Sequence, residues 1–337
     1  MIDLRSDTVT KPTAAMLEAM MAAEVGDDVF DDDPSVNELQ AKVAQLFGME
    51  AALYCPSGTM TNQIALRINT EPQDEVICDK RSHIYLYEGG GLAYNSMLSP
   101  KLLDGNRGRI TAEMVAKNIN PDDIHFPVSK LVSLENTMNK GGGATYDFLE
   151  IQKIREVCDQ NGLKLHLDGA RLFNALIATG QTPQQYRSVF DTISVCFSKG
   201  LGAPVGSLLL STKNNIKKAK RVRKVFGGGM RQAGYLAAAC IYALDNHVER
   251  LADDHQRASI IASELLGKPF IKNILPVETN IVIAELEGIE PSAYLERLKA
   301  HNILAVAFGA EAIRFVTHLD FDDDDLELTK TALNKLY

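Results

Sequence analysis

LKLHLDGAR at residues 163–171 and ISVCFSKG at residues 193–200 are short apolar runs, each ending in a charged residue beside glycine. Runs of four to six apolar residues bounded in this way read as buried strands. Working outward, Ala51 to Cys55, Glu75 to Cys78, Leu131 to Leu134 and Val205 to Leu210 repeat the pattern. Several are continuous rather than alternating, as in strands covered on both faces. Helical segments separate them. In Pro34 to Phe47, the residues Val36, Leu39, Val43, Leu46 and Phe47 recur at helical spacing, and Asp147 to Asn161 supplies another helix. Strands alternating with helices predict right-handed crossovers and a mainly parallel sheet, an α/β domain.

Past residue 245 the pattern changes. A polar helical stretch, His247 to Leu266, precedes an apolar run at Ile281 to Glu285, a helix at Pro291 to His301, a further run at Ile313 to Val316 and a terminal helix opened by Asp322 to Asp325. The expected division is therefore 1–245 for the large domain and 246–337 for a smaller α+β unit. The basic run Lys217 to Lys224 reads as a solvated helix face.

The chain has 337 residues, with 35 Lys and Arg against 44 Asp and Glu, a net charge of −9. An acidic balance disfavours nucleic acid and anionic lipid as main partners, leaving small metabolites. Asp3, Arg5, Asp7 and Lys11 occupy the place where a signal peptide needs apolar residues, so a cytoplasmic location is expected. The five cysteines are unpaired by spacing and read as reduced core thiols. Zincin, P-loop and serine-hydrolase motifs are missing, and no metal site is expected.

Four features sit where an open α/β sheet places its ligand, at the carboxyl ends of strands. Ser57-Gly58-Thr59 opens a helix, and its free N–H groups and hydroxyls suit a phosphate; Ser57 or Thr59 could equally be a plain N-cap. Asp168 follows a strand, and as a buried carboxylate it needs a partner, either Arg171 or a protonated heterocycle. Lys199 is placed to form a Schiff base. His83, flanked by Tyr85 and Tyr87, can stack on a flat ring or move a proton. Together, a phosphate cradle, a stacking group, a carboxylate and an amine match the needs of one cofactor, pyridoxal 5′-phosphate.

The chain also carries IDLRSDTVTKP (2–12), GDDVFDDDP (26–34), PSGTMTN (56–62), SHIY (82–85), DDIH (122–125), SLENT (133–137), LDGAR (167–171), SKGLGAPVGSLL (198–209), GGGMRQ (227–232) and RFVTHLD (314–320). In these blocks it resembles the low-specificity L-threonine aldolases, pyridoxal-phosphate enzymes of the aspartate-aminotransferase fold (fold type I). The resemblance implies that Lys199 carries the cofactor, Asp168 faces its ring nitrogen and His83 stacks on the ring. It makes Ser57, Gly58, Thr59 and Arg231 phosphate contacts, and Ser6, Arg171 and Arg314 the grip on the substrate α-carboxylate. Arg171 also becomes a cofactor contact, Tyr87 and His125 substrate contacts, and His83 and His125 candidates for handling the β-hydroxyl. It also implies a homodimer or homotetramer with interfacial active sites, in which one or more of the groups around Tyr87, Lys224 and Arg231 come from the neighbouring chain.

The implied reaction is retro-aldol cleavage of L-threonine or L-allo-threonine to glycine and an aldehyde. A β-eliminating lyase, dehydratase or racemase on a related amino acid is the alternative. Two departures stand out: Phe30-Asp31 where the family commonly has Tyr-Gly, and Met138 where it has His. Both are expected near the pocket.

Overall fold

The computed structural model describes residues 1–336. Seven strands form the main sheet in the order Ala51–Cys55, Ser207–Ser211, Thr192–Cys196, Lys164–Gly169, Ser129–Glu135, Glu75–Asp79 and Ser99–Leu103. Ser207–Ser211 runs antiparallel to both neighbours, and the other pairings are parallel. The six anticipated strands are present with their ends shifted by a residue or two. The edge strand Ser99–Leu103 was not anticipated, because SPKLL carries a proline and a lysine and is half exposed.

The helices covering this sheet have legible ends. Pro34–Phe47 begins with proline after Asp33, whose Oδ1 accepts the Val36 N–H at 3.0 Å, and ends on Gly48 in the left-handed region, φ 68°. Gly58–Asn69 is capped by Ser57, which accepts the Met60 N–H. Phe148–Gln160 is capped by Asp147. Buried apolar residues from both layers, among them Leu39, Phe47, Leu165, Leu167, Phe173 and Val195, make the main core.

The anticipated stretch His247 to Leu266 is a break followed by a helix, Leu251–Leu265. Leu251 packs in the main core and Ala258, Ile261 and Leu265 in a second core, so this helix bridges the two. The second core backs a four-stranded antiparallel sheet, ordered Val306–Ala307, Ala312–Val316, Ile281–Leu286 and Ile271–Ile274. The N-terminal residues, anticipated with the large domain, contribute to both units. Ile2–Asp3 pairs in parallel with Ile303–Leu304, and Ile2 and Leu4 are buried in the second core. A two-residue strand has no periodicity to read. The chain then crosses back, and the Thr10 hydroxyl donates to the Lys199 carbonyl at 3.1 Å.

The basic run is only partly a solvated face. Arg223 is buried, 2.8 Å from Asp28, and donates to the Tyr54 carbonyl at 2.7 Å. No helix among the described residues is long and apolar enough to cross a membrane.

Candidate active site

Parallel strands deliver their carboxyl ends to one edge of the sheet, and the chemistry-bearing residues collect there. Glu135 and Asp168 end neighbouring strands and lie opposite each other in register. Lys199 follows the next strand, Thr192–Cys196, and His83 follows Glu75–Asp79. Gly58 opens its helix beside Cys196: a Cβ added to it would sit 2.5 Å from the Cys196 Sγ, so glycine is required for this approach.

Asp168 is buried but does not pair with Arg171. Its Oδ2 accepts from the Asn62 amide at 2.8 Å and its Oδ1 from the Ala170 N–H at 3.1 Å. Asn62 turns its other amide hydrogen to Glu88 at 2.9 Å, so its oxygen can only accept, 3.1 Å from His166 Nε2. His166 therefore donates from Nε2, while its Nδ1 lies 3.0 Å from the Thr192 hydroxyl and 3.2 Å from the Thr192 carbonyl. Burial holds the His166 pKa down at about 4, keeping the ring neutral. The result is a fixed hydrogen-bonded shelf under Asp168.

His83 Nδ1 lies 3.0 Å from Glu88 Oε1. Burial opposes its protonation, but the Glu88 hydrogen bond and the charges of Asp168, Glu88 and Glu135 outweigh burial and raise its pKa. Glu135, fully enclosed, is pushed up to about 7 by burial and by Asp168, although it accepts the Asn139 and His83 N–H groups at 3.0 and 2.8 Å. Ligand atoms of His83, Glu88 and Asp168 lie within 4.8 Å of one another. The Asn62 amide hydrogens that point at both carboxylates would repel a cation there, so the cluster is a hydrogen-bond network.

Above this floor opens a cavity of about 350 Å³ lined by Ser6, Thr8, His83, Tyr87, Asn139, Lys140, Arg171, Lys199, Phe308 and Arg314. Arg171 is buried against Asp7. Arg314 donates to Asn139 Oδ1 and to the Arg5 carbonyl, both at 3.0 Å, while its buried Nε has no partner. Burial and the neighbouring Arg171 lower the Arg314 pKa to about 10. Two close guanidiniums, one with an unused donor, ask for an anion. A larger groove of about 650 Å³ near Lys42, Phe173 and Val248 contains none of these groups.

Six of the anticipated residues, Ser6, His83, Tyr87, Arg171, Lys199 and Arg314, thus share one cavity, with Asp168 beneath it. The Asp168–Arg171 pair offered as one possibility is not formed, because Asp7 from the N-terminal segment takes the guanidinium. His125 is exposed on its loop, 2.7 Å from Asp123, and lies outside this cavity within one chain. Arg231 is likewise exposed, donating to Asp27 at 2.8 Å. The departures are informative. Asp31 occupies the glycine position with φ 62°, a conformation Asp tolerates, and Phe30 is exposed. Met138 is buried against Gly108 and Gly141 and does not line the cavity, contrary to expectation. The residues that sequence reading missed, Asp7, Asn62, Glu88, Glu135 and Lys140, have partners that only folding brings near.

The donor set fits pyridoxal phosphate. Ser57 and Thr59 are exposed at a helix N-terminus, where backbone N–H groups favour an anion. Each Asp168 oxygen accepts one of the two hydrogen bonds it can take, leaving capacity for a ring N–H. A mainly parallel sheet that gathers an amine, a buried carboxylate and an arginine pair at one edge is the plan of an amino-acid-handling pyridoxal-phosphate enzyme. The beta-eliminating lyase family model matches residues 3–288. The low-specificity L-threonine aldolase of Escherichia coli (strain K12) is 45% identical over 327 residues, 97% of this chain and 96% of that one. Low-specificity L-threonine aldolase 1 of Arabidopsis thaliana is 39% identical over 342 residues, 99% of this chain and 96% of that one. The solved threonine aldolase of Leishmania major superposes with a TM-score of 0.87 at 20% identity, covering 100% of this chain and 99% of that one, which speaks for the fold. The chain belongs to the low-specificity L-threonine aldolases of the beta-eliminating lyase family, which are pyridoxal-phosphate-dependent lyases.

Proposed function

We propose that the protein cleaves L-threonine, L-allo-threonine and related β-hydroxy-α-amino acids to glycine and an aldehyde, using pyridoxal 5′-phosphate. The observation that carries this reading is the shared cavity of Lys199, Arg171 and Arg314 over buried Asp168. When bound, the cofactor supplies the electron sink for carbon–carbon cleavage. Lys199 is the attachment amine. Asp168, fixed by Asn62 and Ala170, keeps a proton on the ring nitrogen. Ser57, Gly58 and Thr59 hold the phosphate.

Arg171 and Arg314 fix the substrate α-carboxylate, with Ser6 beside them, and so orient the Cα–Cβ bond. His83 lines the cavity and is the group of this chain nearest the task of taking the β-hydroxyl proton, held by Glu88. His125 and Arg231 can serve only from a neighbouring chain. We therefore read the protein as a homodimer or homotetramer with interfacial sites. The exposed apolar side chains Tyr94, Met97 and Leu102, on or just before the edge strand, and Ile124 and Phe126 support this reading. A cytoplasmic location is part of it, supported by five buried free cysteines.

Borohydride reduction of the yellow holoprotein should label Lys199, and Lys199→Ala should abolish aldehyde release from threonine. Undiminished release by that variant would overturn the reading. Ammonia and a keto acid as the main products would favour elimination instead.

A further inference from the structure

The charges facing the cavity do not balance. Lys140, Arg171, Lys199 and Arg314 line it, and no Asp or Glu does so among the described residues. Arg171 is neutralised from behind by Asp7. On the reading above, Lys199 is consumed by the cofactor, and the substrate α-carboxylate answers Arg314. Lys140 is left over.

Its placement is built rather than incidental. Lys140 sits in the 3₁₀ turn Asn139–Gly141, after Met138 has been buried against two glycines. Its Nζ lies 4.2 Å from the Phe308 ring centroid and 5.5 Å from that of Tyr87, both lining the same cavity. No carboxylate among the described residues pairs with it. Cation–π contacts hold an ammonium in place without consuming its N–H donors. The Arg314 guanidinium lies 5.5 Å from the same Phe308 ring. Two cations on one ring repel each other, and an anion received there relieves the repulsion.

We infer that Lys140 receives a second carboxylate, carried on the β-carbon of the substrate, so that the enzyme takes 3-hydroxyaspartate as well as threonine. The inference rests on the aldolase reading. In the reaction the β-hydroxyl gives up its proton, the Cα–Cβ bond breaks with its electron pair left on Cα, and Cα takes a proton. The products are glycine and glyoxylate, which together contain all the atoms of the substrate. Neutral side chains such as the threonine methyl gain nothing from Lys140.

The test compares kcat/KM for 3-hydroxyaspartate and L-threonine in the wild-type holoenzyme and in Lys140→Met, Lys140→Glu and Lys140→Arg. Methionine keeps the stem between the two aromatic rings and removes only the charge. The ratio of hydroxyaspartate to threonine should fall at least about tenfold in Lys140→Met, as for a lost charge-assisted hydrogen bond. It should fall further in Lys140→Glu and recover in Lys140→Arg. Threonine cleavage with an unchanged ratio, or an equal loss on both substrates, overturns the inference and leaves the aldolase reading standing; the equal loss would assign Lys140 to the α-carboxylate. A wild type that cleaves threonine but not 3-hydroxyaspartate overturns the inference alone, and a wild type that cleaves neither overturns both.

Discussion

Asp7 grips Arg171 through two hydrogen bonds of 2.7 Å, Nε to Oδ2 and Nη2 to Oδ1. Both groups are buried, and they lie 164 residues apart in the chain. Burial alone would raise the Asp7 pKa, but the Arg171 pair, the nearby Lys199 and the Asn280 amide at 3.2 Å hold it at about 2. The N-terminal segment is thereby locked over the sheet edge, and one arm of the carboxylate grip is oriented from behind. Asp7→Asn leaves a buried guanidinium without a counter-charge, so a stability loss of about 3–5 kcal/mol is expected. Urea denaturation measures it, and the KM for threonine should rise with it; an unaltered midpoint would show that the pair contributes nothing.

Arg314→Lys keeps the charge and loses the planar fork. The variant should raise KM for threonine roughly tenfold or more, because a point charge cannot reproduce a bidentate carboxylate contact. Steady-state kinetics read this directly, and a KM equal to that of the wild type would remove Arg314 from the grip.

Gly58→Ala should weaken cofactor binding, since the added methyl meets the Cys196 sulfur at 2.5 Å and must displace the helix start. Combining it with Cys196→Ala makes room. Titration of apoprotein with pyridoxal phosphate should show weaker binding in the single variant and partial recovery in the double. An additive loss in the double variant would argue that the close approach to Cys196 is not the cause.

His166 links acid stability to the shelf under Asp168. An unfolded histidine ionises near 6.5, whereas the folded ring is held at about 4, so the unfolded chain binds the proton first as pH falls. The contribution is whole above about pH 6.5 and lost progressively toward about pH 4, up to roughly 3 kcal/mol. Urea midpoints between pH 7 and 4.5 should fall less steeply in His166→Gln than in the wild type. Parallel slopes would contradict this.

Much of the site was legible because parallel strands put their carboxyl ends together. Once LKLHLDGAR and ISVCFSKG read as strands of one sheet, Asp168 and Lys199 had to approach each other. The edge strand Ser99–Leu103 carries no such signal, because edge strands need no continuous apolar run. Met138 was expected near the pocket, and the structure turns it inward while Lys140, two residues later, faces the cavity. A 3₁₀ turn has no periodicity from which such directions follow.

Six of the seven strands of the main sheet, the helices Pro34–Phe47 and Phe148–Gln160 and the strand ends that carry Ser57, Asp168 and Lys199 are readable from the sequence, because hydrophobic spacing and capping are local properties of the chain. Which charge answers which was set by the packing. Asp7 rather than Asp168 neutralises Arg171, Asn62 and His166 fix Asp168, and Lys140 is left facing the cavity, since contacts between residues far apart in the chain depend on how cores pack and strands register, and no local pattern encodes them.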